Sequence, residues 1–465
     1  MHDCRTQFGW MALAISLTAA SAAWARPLAT QSSLQAAREY SGLSELVLPD
    51  GQRIQPAQAL KLASAPGGSV QGALMGDPGG SVRLQQWKGH IRAVIRSPKR
   101  GTWILQEAPD GSQQVTKVDL STLGGCPTET INLPPAAGID GDGGGGGMPA
   151  PTTDGDESLS SGDGPVDVFV AYTNLARANA GSTEAMETAI HAWINESNDV
   201  YRDSDTTTRV RLVGTGEVTY GEAGGFSTHL GLLAGTSDGT MDIVHTWRND
   251  TGADAVILIV DDSSSCGLAY TIKNPAGIAS LAFGVVRDVC ADVQYSFTHE
   301  LGHILGCCHD ADHPGSCATS TLYPYAFGHR FFGDTGNWRS VMAYTDSSAD
   351  PEPQITYTRI GHLSNPDIAY DGEWTGSVLA DNAQTHDSMS IITAGYRSAV
   401  APMSCLGDVQ NDLDVGVADL LGLLGVWGAM DLGNAVSQAS DLNGDAEIDV
   451  SDLLIVLTEF GPCPS

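Results

Sequence analysis

The chain has 465 residues, 42% of them hydrophobic, with 55 acidic against 23 basic side chains and a formal charge of −32 at pH 7. At about 100–200 residues per domain this length implies two to four folded units with at least one substantial core, which excludes a disordered tail. The acid excess repels phosphate backbones and anionic headgroups, so nucleic-acid or membrane-surface binding through the bulk field is excluded and divalent cations become the natural partners. The charge is also uneven. Residues 26–135 carry 11 basic and 8 acidic side chains, whereas residues 136–465 carry 11 and 46.

Residues 1–25 read as a secretory signal peptide: Arg5, an apolar run from Phe8 to about Ala20, then Ala23-Trp24-Ala25 as an A-x-A site before Arg26-Pro27. No later stretch approaches the roughly 20 apolar residues that span a bilayer, so no membrane span is expected in the mature chain. Export permits disulfides. Beyond the signal stand Cys126, Cys266, Cys290, Cys307, Cys308, Cys317, Cys405 and Cys463. The expected pairs are Cys405 with Cys463, Cys266 with Cys290, and Cys317 with Cys307 or Cys308, leaving Cys126 and one vicinal cysteine over.

Residues 26–135 read as short strands between Gly and Pro, among them Ser81–Leu84, His90–Ile95 and Thr102–Leu105, which makes a small β-rich domain. Residues 136–164, with Gly143 to Gly147, are Gly, Pro and Asp in quantity and read as an exposed, protease-accessible linker. From Val166 strands alternate with helices. Val166–Val170 is a strand, Thr183–Tyr201 a helix with Met186, Ile190 and Trp193 at helical spacing, Arg209–Val213 a strand, Met241–Arg248 a helix, and Ala255–Val260 a strand apolar on both faces. That alternation predicts an α/β sandwich over residues 165–400.

The segment His299-Glu300-Leu301-Gly302-His303-Ile304-Leu305-Gly306-Cys307-Cys308-His309 carries the chemistry. On a helix, His299 and His303 leave one face a turn apart and can bind one ion. Gly306 can take the positive φ that ends the helix and swings His309 back as a third ligand. Three imidazoles with a position left for water make a catalytic zinc site. Glu300, on the adjoining helix face, reaches that water as general base and then passes the proton to the leaving amine.

This segment resembles the H-E-x-x-H-x-x-G-x-x-H motif of metzincin zinc metalloendopeptidases. Asp310, after the third histidine, resembles the reprolysin (adamalysin) branch. Ser340-Val341-Met342-Ala343-Tyr344 resembles the Met-turn, with Met342 as the apolar floor. Tyr344 falls where astacins and serralysins have a tyrosine that binds zinc or stabilises the oxyanion, and reprolysins typically lack it. Together with Leu363–Pro366 and Asp381–Ala383 the stretch is also similar to bacterial peptidyl-Asp metallopeptidases. The resemblance implies a twisted mixed sheet, an active-site helix and Zn²⁺. It also implies that the edge strand Cys266–Tyr270 holds an extended substrate. His229, His245, His329 and His362 lack ligand spacing and read as surface or satisfied core residues.

The expected organisation is therefore multidomain: a β-rich propeptide (26–135), the linker (136–164), an α/β metzincin catalytic domain (165–400) and a small α-helical, EF-hand-like module (401–465). Cys126 is a candidate latency thiol, since thiolate binds zinc strongly and the basic propeptide complements the acidic remainder. The tail repeats at 33 residues. Asp408, Gln410, Asp412, Asp414 and Asp419 form one loop, and Asp441, Asn443, Asp445, Glu447 and Asp452 the other, at EF-hand positions 1, 3, 5, 7 and 12 for Ca²⁺. Each loop runs into an apolar helix, Asp419–Trp427 and Asp452–Phe460, and the pair resembles a type I dockerin, with Leu413 and Ala446 in place of the usual glycine. A cohesin-like or cell-surface partner is one expectation for the tail, and a calcium-stabilised anchor or spacer is equally open. The leading reading is a secreted zinc endopeptidase made as a zymogen, acting on protein or peptide substrates. Its alternative is a catalytically silent zinc protein docking into an extracellular assembly.

Overall fold

The computed structural model describes residues 45–48, 51–58, 60, 69–107, 113–123, 165–345, 355–398, 407–409, 414–429, 435–442, 447–458 and 461–462. The signal peptide, the linker, Cys126, Cys405, Cys463, Gln410, Asp412, Asn443 and Asp445, with the side chain of Asp414, lie outside the described residues.

Five strands, β1 (Ser69–Ala73), β2 (Ser81–Trp87), β3 (His90–Ser97), β4 (Gly101–Glu107) and β5 (Gln113–Val118), form an antiparallel meander in sequence order. The tight connections at Lys88-Gly89 and Pro98–Arg100 keep neighbours paired, as hairpin geometry requires. Leu84, Ile91, Ala93, Ile95, Trp103 and Leu105 bury one face over Leu46, Ile54 and Leu60.

The next unit is a five-stranded sheet in the order β9–β10–β8–β6–β7, made of β6 (Val166–Thr173), β7 (Val210–Val218), β8 (Ala255–Val260), β9 (Gly267–Ala269) and β10 (Phe283–Arg287). All neighbours are parallel except β9, which runs antiparallel on β10 and forms an edge. Strands β6 and β8 are buried along their whole length, because helices cover both faces. On one side lie α1 (Asn174–Ala180) and α2 (Thr183–Asp203), whose Met186, Ile190 and Trp193 join Val168, Val170, Ile257 and Ile259. On the other lie α3 (Phe226–Ala234) and α4 (Ile243–Thr251), through Phe226, Leu230, Leu233 and Val244 against Phe169, Val256 and Leu258. Each such fully buried aliphatic side chain contributes about 1.5–3 kcal/mol. Several expected boundaries move. Strand β7 continues past Val213 to Val218, where Gly214-Thr215-Gly216 has no apolar alternation, because pairing with β6 decides its length. Helix α4 starts at Ile243 and continues to Thr251, closed by Gly252 in the left-handed region.

The meander sits directly on the α/β unit, against α2 and α5 (Cys290–Val293). Val94, Ile104 and Val118 close over Val293. Three arginines of the meander cross the seam: Arg92 to Asp292, Arg83 to Asp199 and Glu196, and Arg96 to Glu196. Trp87 stacks on His191 at 3.7 Å between ring centroids.

In the tail, beyond α7 (Asn382–Thr393), α8 (Val417–Gly425) and α10 (Val450–Thr458) pack through Val415, Leu423, Ile448 and Val456, with α9 (Ala435–Ser440) beside α8. Both apolar helices begin two residues before the acids expected to open them. Asp419 and Asp452 occupy the third helical position and accept from the backbone N–H of Gly416 and Asp449, a capping arrangement that draws the helix start upstream. No helix among the described residues is long and apolar enough to cross a membrane.

Candidate active site

Helix α6 (Ser296–Ile304) is buried throughout and carries His299, Glu300 and His303. It stops at Leu305, and Gly306 follows with φ of +84°, a conformation that L side chains rarely adopt. The reversed chain then enters the short strand β11 (Cys308–Asp310), paired with β12 (Phe327–Gly328), which delivers His309. The Cys308–Cys317 disulfide ties this strand to the following loop. Cys307 is the buried free thiol of the vicinal pair, and Cys266–Cys290 bridges the start of β9 to α5, so both expected local pairings are present.

The three imidazoles converge, with ligand atoms within 4.8 Å of one another. Nε2 of His309 lies 2.9 Å from Nε2 of His303 and 3.2 Å from Nε2 of His299. Three nitrogens held tetrahedrally at zinc-to-nitrogen distance lie about 3.3 Å apart, so this spacing fits one Zn²⁺. The outer nitrogens fix the tautomers: Nδ1 of His299 is 2.9 Å from the Val341 carbonyl oxygen, and Nδ1 of His303 is 2.9 Å from that of Cys307. Each Nδ1–H donates outward and each Nε2 lone pair faces the centre. Burial keeps the rings neutral. It pulls His303 down to about 4 and, with the neighbouring His303 and Arg359, pulls His299 and His309 well below the ordinary histidine value. A set of neutral, inward-facing imidazoles is the donor set zinc takes.

The chain after His309 is locked to the turn that carries Met342. Asp310 accepts from the backbone N–H of Tyr344 at 2.8 Å, and its other oxygen lies 3.0 Å from Nδ1 of His313. Met342 is fully buried beneath the ligands, and the Tyr344 ring centroid stands 4.4 Å from that of His309. Arg339 donates from Nε to the Tyr357 carbonyl at 3.0 Å and from Nη1 to the Ala343 carbonyl, fixing the turn from behind. The edge strand β9 passes over Glu300. A Cβ on Gly267 would lie 2.1 Å from Oε1 of Glu300, so a larger residue here would force the carboxylate or the strand to shift.

Two openings lie around this site, and only the smaller is lined by ligand imidazoles and Glu300. One, of about 470 Å³, is lined by Glu300, His303, His309, Leu268 and Lys273. The other, of about 960 Å³, lies under the meander and includes Tyr344, Tyr357 and Arg359.

The predicted His299, Glu300, His303, His309, Met342 and Tyr344 thus come together. In the tail, Asp419 and Asp452 are buried, while Asp408, Asp441 and Glu447 form no metal-sized cluster among the described residues. His229 is a satisfied core residue, 2.9 Å from Asp262 and 2.8 Å from the Tyr220 hydroxyl. Arg339 and Arg359 follow no sequence motif and come to the back of the Met342 turn through the pairing of β14 (Asn337–Arg339) with β15 (Thr358–Arg359), after β13 (Arg330–Phe332).

Residues 164–358 match the Reprolysin_5 model, metallo-peptidase family M12. The chain is similar to the peptidyl-Asp metalloendopeptidase of Stenotrophomonas maltophilia, 32% identical over 357 residues that cover 74% of this chain and 76% of the relative. It is also similar to that of Xanthomonas campestris pv. campestris, 29% identical over 75% of this chain and 79% of the relative. A third, from Pseudomonas fragi, is 29% identical over 38% of this chain and 86% of its own length. With a histidine triad that fits zinc, the chain belongs to the peptidyl-Asp metalloendopeptidases and is a zinc-dependent hydrolase of peptide bonds in proteins or peptides.

Proposed function

We propose that the chain is a secreted endopeptidase, made as a zymogen, that hydrolyses peptide bonds next to aspartate. The single observation that carries the site assignment is the convergence of the three Nε2 atoms beside Glu300. His299, His303 and His309 hold the ion, which when bound supplies Lewis acidity at the scissile carbonyl. Glu300 takes a proton from the attacking water and returns it to the nitrogen of the leaving amine. Burial of α6 excludes bulk water and strengthens that proton transfer. The Tyr344 hydroxyl donates to the oxyanion as the carbonyl becomes tetrahedral, a role supported by its ring lying against His309. The free edge of β9 offers backbone groups to an extended substrate. The aspartate preference rests on the relatives named peptidyl-Asp metalloendopeptidase.

Latency is supported by the seam. Arg96 lies over the ring of Tyr295, the residue that precedes α6, at 4.1 Å. Leu123, shortly after the last strand of the meander, lines the same opening as Tyr344. Cys126 follows three residues later, and as a thiolate it would occupy the open coordination position until the linker is cut. Secretion rests on the sequence of residues 1–25. The tail binds Ca²⁺ through its two acidic loops and anchors the enzyme to a cohesin-like or cell-surface partner. That reading rests on the two acidic loops standing in register in the 33-residue repeat.

The test is digestion of a peptide library, with mass spectrometry of the products and of the enzyme. The reading expects products bounded by aspartate, loss of cleavage on chelation, recovery with zinc, and an enzyme whose N-terminus lies beyond the meander. Chelator-resistant cleavage, or product ends without aspartate, contradicts it.

A further inference from the structure

Over residues 136–465 the chain carries 11 basic against 46 acidic side chains, and Lys273 is the only lysine among them. A substrate carboxylate brought to such a surface is repelled almost everywhere, so a positive group inside the reacting cleft decides where it settles. The opening of about 470 Å³ beside Glu300, His303 and His309 holds such a group. Among the side chains that line it, Lys273 is the only lysine or arginine and Glu300 the only carboxylate.

Contacts along the chain fix Lys273 relative to the reacting centre. From β9 onward the backbone follows α6. Gly267 approaches the Glu300 carboxylate, Thr271 Oγ1 lies 3.4 Å from Nδ1 of His303, and the N–H of Ile272 donates to the His303 carbonyl at 3.1 Å. Lys273 is the next residue, so its side chain starts one position past the contact with the second ligand. The facing wall is the turn Gly315–Ala318, tied by the Cys308–Cys317 disulfide to the strand that delivers His309. Lys273 Nζ donates to the Ser316 carbonyl on that wall, and the Ser316 hydroxyl donates back to Thr271 Oγ1 at 3.1 Å. The ammonium is thereby held between the edge strand and the segment that follows the third ligand. It has three N–H donors, of which this carbonyl takes one. Burial alone lowers its pKa, and no carboxylate among the described residues acts on its charge.

We infer that Lys273 is the specificity-determining residue that receives the aspartate side chain beside the scissile bond, in the opening it shares with Glu300, His303 and His309. This deepens, and rests on, the aspartate-directed reading above. Because the walls of this opening include two ligands and the general base, a side chain that enters it belongs to a residue next to the bond being cut. Glu300 alone would repel a substrate carboxylate there, and the ammonium of Lys273 reverses that field. Aspartate is short, and the flexible four-carbon stem of lysine supplies the reach it lacks. Among the described residues, none of the meander lines this opening, so the subsite is already formed in the unprocessed chain.

The test compares kcat/KM on matched peptides carrying Asp, Ala or Lys at the residue next to the scissile bond. It uses the full-length zinc-loaded chain after limited proteolysis, as wild type, as Lys273→Gln, which keeps a donor for the Ser316 carbonyl but loses the charge, and as Lys273→Glu. The ratio of Asp to Ala peptide should fall about 10- to 100-fold in Lys273→Gln, the loss of one charge-assisted contact, with zinc content unchanged. In Lys273→Glu the preference should pass from the Asp to the Lys peptide. A purely structural role would lower all three peptides together and leave the ratio as it is. Should Lys273→Gln fail to hold zinc, Lys273→Glu makes the same comparison. An Asp-to-Ala ratio that survives removal of the Lys273 charge overturns the inference and leaves the aspartate-directed reading standing. A wild-type enzyme with no aspartate preference overturns both.

Discussion

Arg92 of the meander and Asp292 of α5, 200 residues apart in sequence, close a two-point ion pair in the buried seam, Nε to Oδ2 at 2.8 Å and Nη2 to Oδ1 at 3.3 Å. Asp292 is fully buried, so removing its partner strands a charge, which costs about 3–5 kcal/mol in comparable buried pairs. Arg92→Ala should therefore loosen the meander without touching the catalytic residues. The expected result is a lower melting temperature and higher peptide hydrolysis by the unprocessed chain, measured by calorimetry and a fluorogenic substrate. Unchanged latency would argue that the meander does not restrain the enzyme.

Acid should act on the same pair. Burial opposes charge on Asp292, yet Arg92, and behind it Arg96, hold its carboxyl below the ordinary 3.8. A carboxyl whose folded pKa is depressed stabilises the docked state above its unfolded pKa, and that contribution disappears as pH falls through the depressed value. Seam stability from this group should be intact at neutral pH and lost only below about pH 4. Limited proteolysis across a pH series with an acid-stable protease would show the meander becoming susceptible in that range. Release that begins near neutrality would place control in other groups.

The close approach of β9 to Glu300 makes Gly267→Ala a sharp probe. The added Cβ would lie 2.1 Å from Oε1 and 2.7 Å from Cδ of Glu300, so either the carboxylate or the edge strand must move. A displacement of about 1 Å at a catalytic group commonly costs on the order of 100-fold in rate. Steady-state kinetics should show that loss in kcat with one zinc still bound. Wild-type kcat would mean that Glu300 has no need of its present position.

Calcium should matter to the tail and not to hydrolysis. The acidic loops at residues 408–419 and 441–452 lead into α8 and α10, which among the described residues share a small core of Val415, Leu423, Ile448 and Val456, with Leu420, Val426, Leu442 and Leu453 packed against it. A module with so small a core depends on added constraints such as a bound metal. Calcium should raise the melting transition of the tail in the full chain by several degrees and leave activity on short peptides unchanged. A tail transition insensitive to calcium would remove the ion from the account.

The parts of the molecule legible in the sequence are those where local pattern and tertiary role coincide. His299, Glu300, His303, Gly306 and His309 are spaced by helix geometry and one required turn, so their convergence follows from the sequence alone. Strand β8 is legible because a run of six apolar residues has few other places to be buried. Arg359 is not legible. Its place against the Gln294 and Ala343 carbonyls is set by the parallel pairing at Arg339, and no periodicity records that contact. The seam is intermediate. Charge partition announced a basic segment and an acidic one, but only the fold shows that Arg83, Arg92 and Arg96 lie on the face of the meander that meets α2 and α5. Helix starts at Val417 and Val450 shifted because Asp419 and Asp452 serve as caps inside the first turn, a use that spacing alone does not distinguish from a metal ligand.

The most direct test of the central claim is peptide hydrolysis by Glu300→Gln with zinc content measured on the same sample. Glutamine keeps the size and most contacts of the side chain but cannot accept the proton from water. With His299, His303 and His309 intact, bound zinc should remain at one per chain while kcat falls by about 10²- to 10⁴-fold, the usual contribution of general acid–base catalysis. Undiminished hydrolysis by a zinc-loaded Glu300→Gln protein would contradict the account.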